Sequence, residues 1–181
     1  MGKEHYIIRQ YTHQSNPWQD KPKFLSHLTI ELTERCNNDC IHCCINLPAD
    51  DAEAKKTELT TDQVKHVLSE AASMGCLKLH ITGGEPLLRN DFAELYLFAR
   101  KLGLKVLLFT NATLIDHNLV ELFKQVPPLV EIEVTVYGME KASYEGVTRK
   151  KGSFEQAWRG IRLLQENMCI SGTIKNWCVL I

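Results

Sequence analysis

Three cysteines fall within one short run, Cys36-Asn37-Asn38-Asp39-Cys40-Ile41-His42-Cys43, at C-x3-C-x2-C spacing. Thiolates are good ligands for iron–sulfur clusters and also for zinc. A structural zinc site asks for four protein ligands, usually as two pairs, and this loop supplies three at useful spacing. Cys44 comes directly after Cys43, but neighbouring side chains diverge, so it does not complete the set. Three ligands on a 4Fe–4S cluster leave one iron open to an exogenous ligand. A cluster needs that arrangement when it must touch a small molecule.

A second motif, Gly83-Gly84-Glu85-Pro86, follows later in the chain. Two glycines let a backbone approach a ligand closely. Glu85 can accept hydrogen bonds from an ammonium group, and Pro86 stiffens the turn. Alone, such a tetrapeptide is a common turn, and its weight depends on the elements around it.

Those elements alternate. Leu28–Thr33 alternates apolar and polar residues and predicts a strand, with the cysteines just after it. Thr60-Thr61-Asp62-Gln63 is a capping box opening a helix with Val64, Val67, Leu68, Ala71 and Ala72 on one face and Gly75 at its end. Leu77–Thr82 is a second strand, running into the glycine motif. Asp91-Phe92-Ala93-Glu94 opens the next helix, with Phe92, Leu95, Ala99 and Leu102 at helical spacing and Gly103 as the stop. Leu104–Thr110 is a third strand; Asp116 caps a helix through Leu119, Leu122 and Phe123, which Pro127-Pro128 ends. Val130–Val136 is a fourth strand. Ser153-Phe154-Glu155-Gln156 reads as another capping box, heading a helix with Phe154, Ala157, Trp158, Ile161 and Leu164 on one face, and Cys169–Lys175 as a fifth strand.

Strand and helix in alternation predict an α/β fold with a parallel sheet and right-handed crossovers. Three strands separate an apolar face from a polar one: Leu28, Ile30 and Leu32 against Thr29, Glu31 and Thr33; Leu77, Leu79 and Ile81 against Lys78, His80 and Thr82; Val130, Ile132, Val134 and Val136 against Glu131, Glu133 and Thr135. A sheet covered by helices on both faces reads as nearly unbroken apolar runs, and a closed eight-stranded barrel fills its interior with branched apolar residues. The pattern fits an incompletely closed parallel (β/α) barrel with a polar interior. A sheet with one face in water reads the same way. Both motifs sit at the carboxyl ends of adjacent strands, the edge where such folds place their active sites.

Composition bounds the rest. The chain has 181 residues, 44% apolar and 24% charged, with a net charge of −1. That suits one ordinary domain and shows no basic excess for nucleic acid or an anionic membrane. The polar N-terminus does not read as a signal peptide and no apolar run is long enough to span a bilayer, so the expected location is cytoplasmic. Seven cysteines in such a chain point to metal binding or catalysis more than to disulfides. Cys76, Cys169 and Cys178 lie in apolar stretches and read as core thiols.

The cysteine motif followed by Gly-Gly-Glu-Pro resembles the radical S-adenosylmethionine (SAM) superfamily, over roughly residues 25–175. Asn111-Ala112-Thr113-Leu114-Ile115, Thr135-Val136-Tyr137-Gly138 and the stretch from Arg149 through Gly152-Ser153-Phe154 look like its peptide-modifying branch, which includes SPASM-type and anaerobic sulfatase maturase-like enzymes. The resemblance implies a partial TIM barrel of six strand–helix units, of which about five are countable here. An arm over residues 1–24 would precede a core over 25–181 that is incomplete at its C-terminal end. It implies that Cys36, Cys40 and Cys43 hold three irons of a 4Fe–4S cluster, and that Gly83, Gly84 and Glu85 meet the amino group of SAM. His42 stands where an aromatic usually lies near the adenine, Thr135 where a serine often lies near the ribose or methionyl part, and Arg149 could meet the SAM carboxylate. The implied reaction is reductive cleavage of SAM to a 5′-deoxyadenosyl radical that abstracts hydrogen, as in peptide or protein modification, with an electron donor such as flavodoxin or ferredoxin. Glu31, Lys78, His80, Glu131 and Glu133 are candidates to line the substrate cavity, or to pair with one another.

Three other readings compete, one of them a noncatalytic scaffold of the same fold in which truncation has removed activity. A binding module without catalysis, holding zinc or a cluster, predicts a fourth ligand such as His27 or Cys76. A thiol switch would use the pair Cys40 and Cys43.

Overall fold

The computed structural model describes residues 24–45 and 47–168. In chain order these form β1 (His27–Glu31), β2 (Arg35–Cys36), β3 (Leu47–Pro48), α1 (Ala52–Thr57), α2 (Thr61–Ser73), β4 (Lys78–Thr82), a 3-10 turn (Pro86–Leu88), α3 (Phe92–Lys101), β5 (Lys105–Thr110), α4 (His117–Gln125), β6 (Leu129–Val134), α5 (Lys141–Thr148) and α6 (Ser153–Met168). The main sheet has the order β1-β4-β5-β6, every pair parallel, and it is not closed among the described residues. The expected fifth strand over 169–175 and most of the 1–24 arm lie outside the described residues.

The separation of faces follows the sequence pattern. Ile30, Leu79, Ile81, Val106, Leu108, Ile132 and Val134 point into one buried core. Onto that side pack Val64, Leu68 and Ala71 of α2, Phe92, Leu95, Tyr96 and Ala99 of α3, Val120 and Phe123 of α4, and Ala157, Ile161 and Leu164 of α6. Burying the Val, Leu, Ile and Phe side chains among them contributes about 1.5–3 kcal/mol each. The opposite face keeps Thr29 and Glu31 exposed and His80, Thr82, Glu131 and Glu133 half-buried. Among the described residues no ion pair joins Glu31, Lys78, His80, Glu131 or Glu133, so the expected mutual charge pairing is not what that face contains.

Most helix signals act as their chemistry requires. Thr60 and Gln63 form the reciprocal capping box of α2, Asp116 accepts from Leu119 N–H, and Gly75 and Gly103 take positive φ values of 86° and 83° at the ends of α2 and α3. Two signals do otherwise. Asp91 makes no side-chain cap on α3, because its carboxylate is taken by Arg89 and Thr61. Ser153 heads α6 without a capping box, since its hydroxyl lies in a buried bond with Thr148 Oγ1 at 2.7 Å. Helices α1 and α5 have no counterpart in the sequence pattern; six and eight residues are too few for periodicity to register. After Pro127-Pro128, Leu129 adopts φ 70° and a bulge opposite Val106/Leu107 sets the register of β6.

Helix glycines differ in what surrounds them. A Cβ on Gly146 of α5 meets nothing within 4 Å, whereas one on Gly160 of α6 meets the Ala112 carbonyl oxygen at 2.0 Å. Gly146→Ala should therefore raise stability by about 0.5–1 kcal/mol through helix propensity. Gly160→Ala should lower it by about 1–3 kcal/mol, because α6 must move off the loop after β5. Urea unfolding midpoints of the two variants check both signs.

Candidate cluster and cofactor site

The four strands of the main sheet end at one edge, and each feeds one wall of the site. Beyond β1 comes the cysteine loop, beyond β4 the glycine motif, beyond β5 Asn111–Thr113, and beyond β6 Thr135–Gly138. They surround a cavity of about 210 Å³ whose lining includes Cys36, Cys40, Cys43, Gly83, Gly84 and Thr135. Asn38, Asn111 and Tyr137 also line it. No role attaches to these three from residue type and spacing; only the chain crossing shows them.

The cysteine loop is held on three sides. Gly84 N–H donates to the Thr33 carbonyl at 2.7 Å and Glu85 N–H to the Arg35 carbonyl at 2.9 Å. This approach admits no side chain: a Cβ at Gly83 would stand 2.4 Å from Thr33 O, and one at Gly84 would stand 2.3 Å from Arg35 O. On the second side, Asn37 donates to Thr113 Oγ1 at 2.7 Å and accepts from Asn111 Nδ2 at 2.9 Å. On the third, the last carbonyls of α5 are used, with Asp39 N–H donating to Thr148 O and Ile41 N–H to Val147 O. Arg149, at φ 51°, ends α5 there.

Glu85 is fully buried and absent from the cavity lining. Its carboxylate accepts from Thr110 Oγ1 at 2.8 Å, Asn111 N–H at 2.8 Å and Leu87 N–H at 3.1 Å. It is a strut between the glycine motif and the end of β5, lying beneath the two glycines and not beside them in the cavity. Burial pushes its carboxyl up to about 7, while the three donors pull the other way. His42 is exposed and meets the Tyr137 ring edge-on, centroids 5.0 Å apart. Arg149 is exposed as well, 3.7 Å from Asp39 Oδ2, and neither residue lines the cavity.

The thiols differ in setting. Cys36 and Cys40 are buried and Cys43 is exposed. Burial pushes Cys36 up to about 11, against a hydrogen bond from Asn38 N–H. Burial also raises Cys40, against a hydrogen bond from Tyr137. Cys40 and Cys43, the pair a thiol switch would use, thus sit in different settings, one buried and one exposed. Buried thiols of this kind become thiolates when a bound cation compensates the charge, so the donor set fits metal ligation. Among the described residues no three Cys, His, Asp or Glu side chains gather around a single point, as one tetrahedral ion would ask. A cuboidal cluster takes each thiolate on a separate iron. The fourth zinc ligands considered above are out of reach: His27 opens β1 and Cys76 precedes β4, both at the far edge of the sheet, where Cys76 donates to Lys78 O. Five residues of β1 alone separate the edges by about 16 Å.

Residues 30–179 match the Radical SAM superfamily. The chain belongs to this family. Its cofactors are a 4Fe–4S cluster and SAM. The chain is 35% identical over 136 residues to the AdoMet-dependent heme synthase of Methanosarcina barkeri, covering 75% of this chain and 38% of that protein. It is 34% identical over 128 residues to the PqqA peptide cyclase of Bradyrhizobium diazoefficiens, covering 67% of this chain and 33% of the relative. Among solved structures, native anSMEcpe with bound AdoMet superposes with a TM-score of 0.62 at 20% identity, covering 79% of this chain and 41% of that one. The chain thus spans about a third to two-fifths of the length of these relatives, and the fold it shares with anSMEcpe is a partial TIM barrel.

The strut carries a pH signature. Unfolding returns Glu85 from about 7 to its ordinary 4.5. A carboxyl raised in the folded state loses stability as pH climbs from the unfolded to the folded value. Relative to Glu85→Gln, which does not titrate, the wild-type chain should lose roughly 3 kcal/mol between about pH 4.5 and 7.5. Urea unfolding of both proteins at the two ends of that window gives the difference directly.

Proposed function

We propose that this chain is the cofactor-binding part of a radical SAM enzyme that modifies a peptide or protein. The observation that carries the proposal is the shared cavity: the three motif cysteines and the two motif glycines, far apart in sequence, line the same 210 Å³ space at the carboxyl edge of the sheet. In this reading Cys36, Cys40 and Cys43 hold three irons. Gly83 and Gly84 present bare backbone to the SAM amino group, with Glu85 fixing that backbone from below, and Thr135 faces the ribose or methionyl part from the end of β6. His42 and Arg149 act from outside the lining, one against Tyr137 and the other beside the loop at Asp39. When bound, the reduced cluster and SAM supply a 5′-deoxyadenosyl radical able to remove hydrogen from a substrate C–H.

The protein's own part is to bind, orient and shield. Tyr137 donates to Cys40 and Asn111 Nδ2 lies 3.8 Å from Cys36 Sγ, so donors already surround the sulfur positions. The half-buried polar face with His80, Glu131 and Glu133 runs below the cavity and gives a polar substrate a surface to lie on. Peptide cyclases among the relatives support a peptide substrate. The heme synthase, at 35% identity, favours a tetrapyrrole as the second reading. An electron donor such as flavodoxin or ferredoxin and a cytoplasmic location complete the proposal; among the described residues no helix is long and apolar enough to cross a membrane.

Anaerobic reconstitution with iron and sulfide, followed by reduction, should give a 4Fe–4S EPR signal that shifts on adding SAM. In Cys36→Ala the signal should be lost or reduced at least tenfold. Zinc uptake in place of iron, or a signal indifferent to SAM, would sink the proposal.

A further inference from the structure

Asn38 sits inside the cysteine loop, 4% exposed, and lines the cavity. Its backbone N–H donates to Cys36 Sγ at 3.4 Å. Its side-chain amide is different: neither Nδ2 nor Oδ1 has a hydrogen-bond partner among the described residues. Buried amides are almost always bonded, because desolvation is otherwise uncompensated. The other buried side-chain atoms in this condition, Tyr144 Oη and Trp158 Nε1, belong to residues that do not line the cavity. An amide can be rotated end for end without changing its shape, so Nδ2 can take either of the two positions.

The surroundings define what the amide is for. Its own loop presents Cys36, Cys40 and Cys43 to the same space. Cys36 already receives Asn38 N–H and has Asn111 Nδ2 beside it, and Cys40 receives the Tyr137 hydroxyl. The wall is built of N–H and O–H donors directed at sulfur, and Asn38 Nδ2 is one more donor with no protein acceptor among the described residues. We propose that Asn38 is a positioning residue for the cluster, its side-chain N–H donating to a sulfur of the 4Fe–4S group held by the three cysteines. The inference rests on the cluster reading above and adds to it a residue outside the ligand set. The carbonyl end of the same planar amide accepts from a donor in the cavity, for which water is sufficient.

Donation to cluster sulfur stabilises the more negative, reduced state and so raises the reduction potential. Asn38→Leu has a similar shape and cannot donate. Reconstituted to equal iron content, it should show a midpoint potential shifted negative of wild type in an EPR-monitored redox titration. Metal-free Asn38→Leu should melt no lower than metal-free wild type, because the amide makes no bond to the protein among the described residues. An unchanged potential at equal cluster content overturns the inference and leaves the cluster reading intact. A lower melting temperature of the metal-free variant also overturns it, since the amide would then be serving the protein itself. Should Asn38→Leu not assemble a cluster, Asn38→Ala replaces it, with the same potential shift expected and an unchanged potential again decisive. A wild-type chain that assembles no 4Fe–4S cluster overturns both readings together.

Discussion

At the carboxyl edge the two motif loops are joined by two backbone hydrogen bonds, Gly84 N–H to Thr33 O and Glu85 N–H to Arg35 O. They join the loop that follows β1 to the loop that follows β4, continuing the β1–β4 ladder past the ends of both strands. The join is so close that a single methyl on either glycine would overlap a carbonyl oxygen. Glycine is therefore demanded here first by the neighbouring protein backbone. Whatever small molecule the cavity takes then meets a wall already fixed in place.

Beneath that join lies a buried charge network. Glu58, following α1, accepts from Thr33 Oγ1 at 2.5 Å and Arg35 Nε at 2.6 Å, with Arg89 3.7 Å away. Arg89 in turn forms a two-pronged pair with Asp91 and donates to the carbonyls of Leu32 and Leu59. Burial alone would raise the Glu58 carboxyl, but Arg35 and Thr33 outweigh it and hold it below its usual range. A pair of this kind gives little net stability compared with an apolar core, yet removing one partner strands a buried charge. What it secures is geometry: β1, the cysteine loop, α1 and the turn after the glycine motif are fixed relative to one another by groups that cannot slide.

The sequence made the strands, the two motifs and the polar sheet face legible because each rests on local chemistry: alternation, spacing and caps. It also placed the three cysteines, Gly83, Gly84 and Thr135 around one site, through strand ends. It could not separate Glu85 from its glycine neighbours, because the direction of a side chain in a tight turn is set by partners such as Thr110 and Asn111 that lie on another strand. Nor could it show that α5 exists to offer Val147 and Thr148 carbonyls to the cysteine loop, since eight residues carry little periodicity and the bonds connect residues far apart in the chain. Arg149 is the same lesson from the other side. A basic residue in a recognisable stretch suggests a ligand role, and only the fold adds that its left-handed backbone also ends α5 beside the cysteine loop.

The polar face has one further physical property. Burial lowers the His80 imidazole, with His27 and Lys78 adding repulsion. Burial also raises the Glu133 carboxyl, with Glu131 adding repulsion. Both residues are pushed toward their neutral forms, by the same desolvation and by like charges on neighbouring positions. Phe109, from the strand between them, packs edge-on against His80 with centroids 6.1 Å apart and also lines the cavity. The floor beneath the cysteines therefore combines hydrogen-bonding capacity with partial exclusion of water. Chemistry that begins at the loops above would need both: polar groups to hold a substrate in register, and enough dryness to keep a reactive species from solvent.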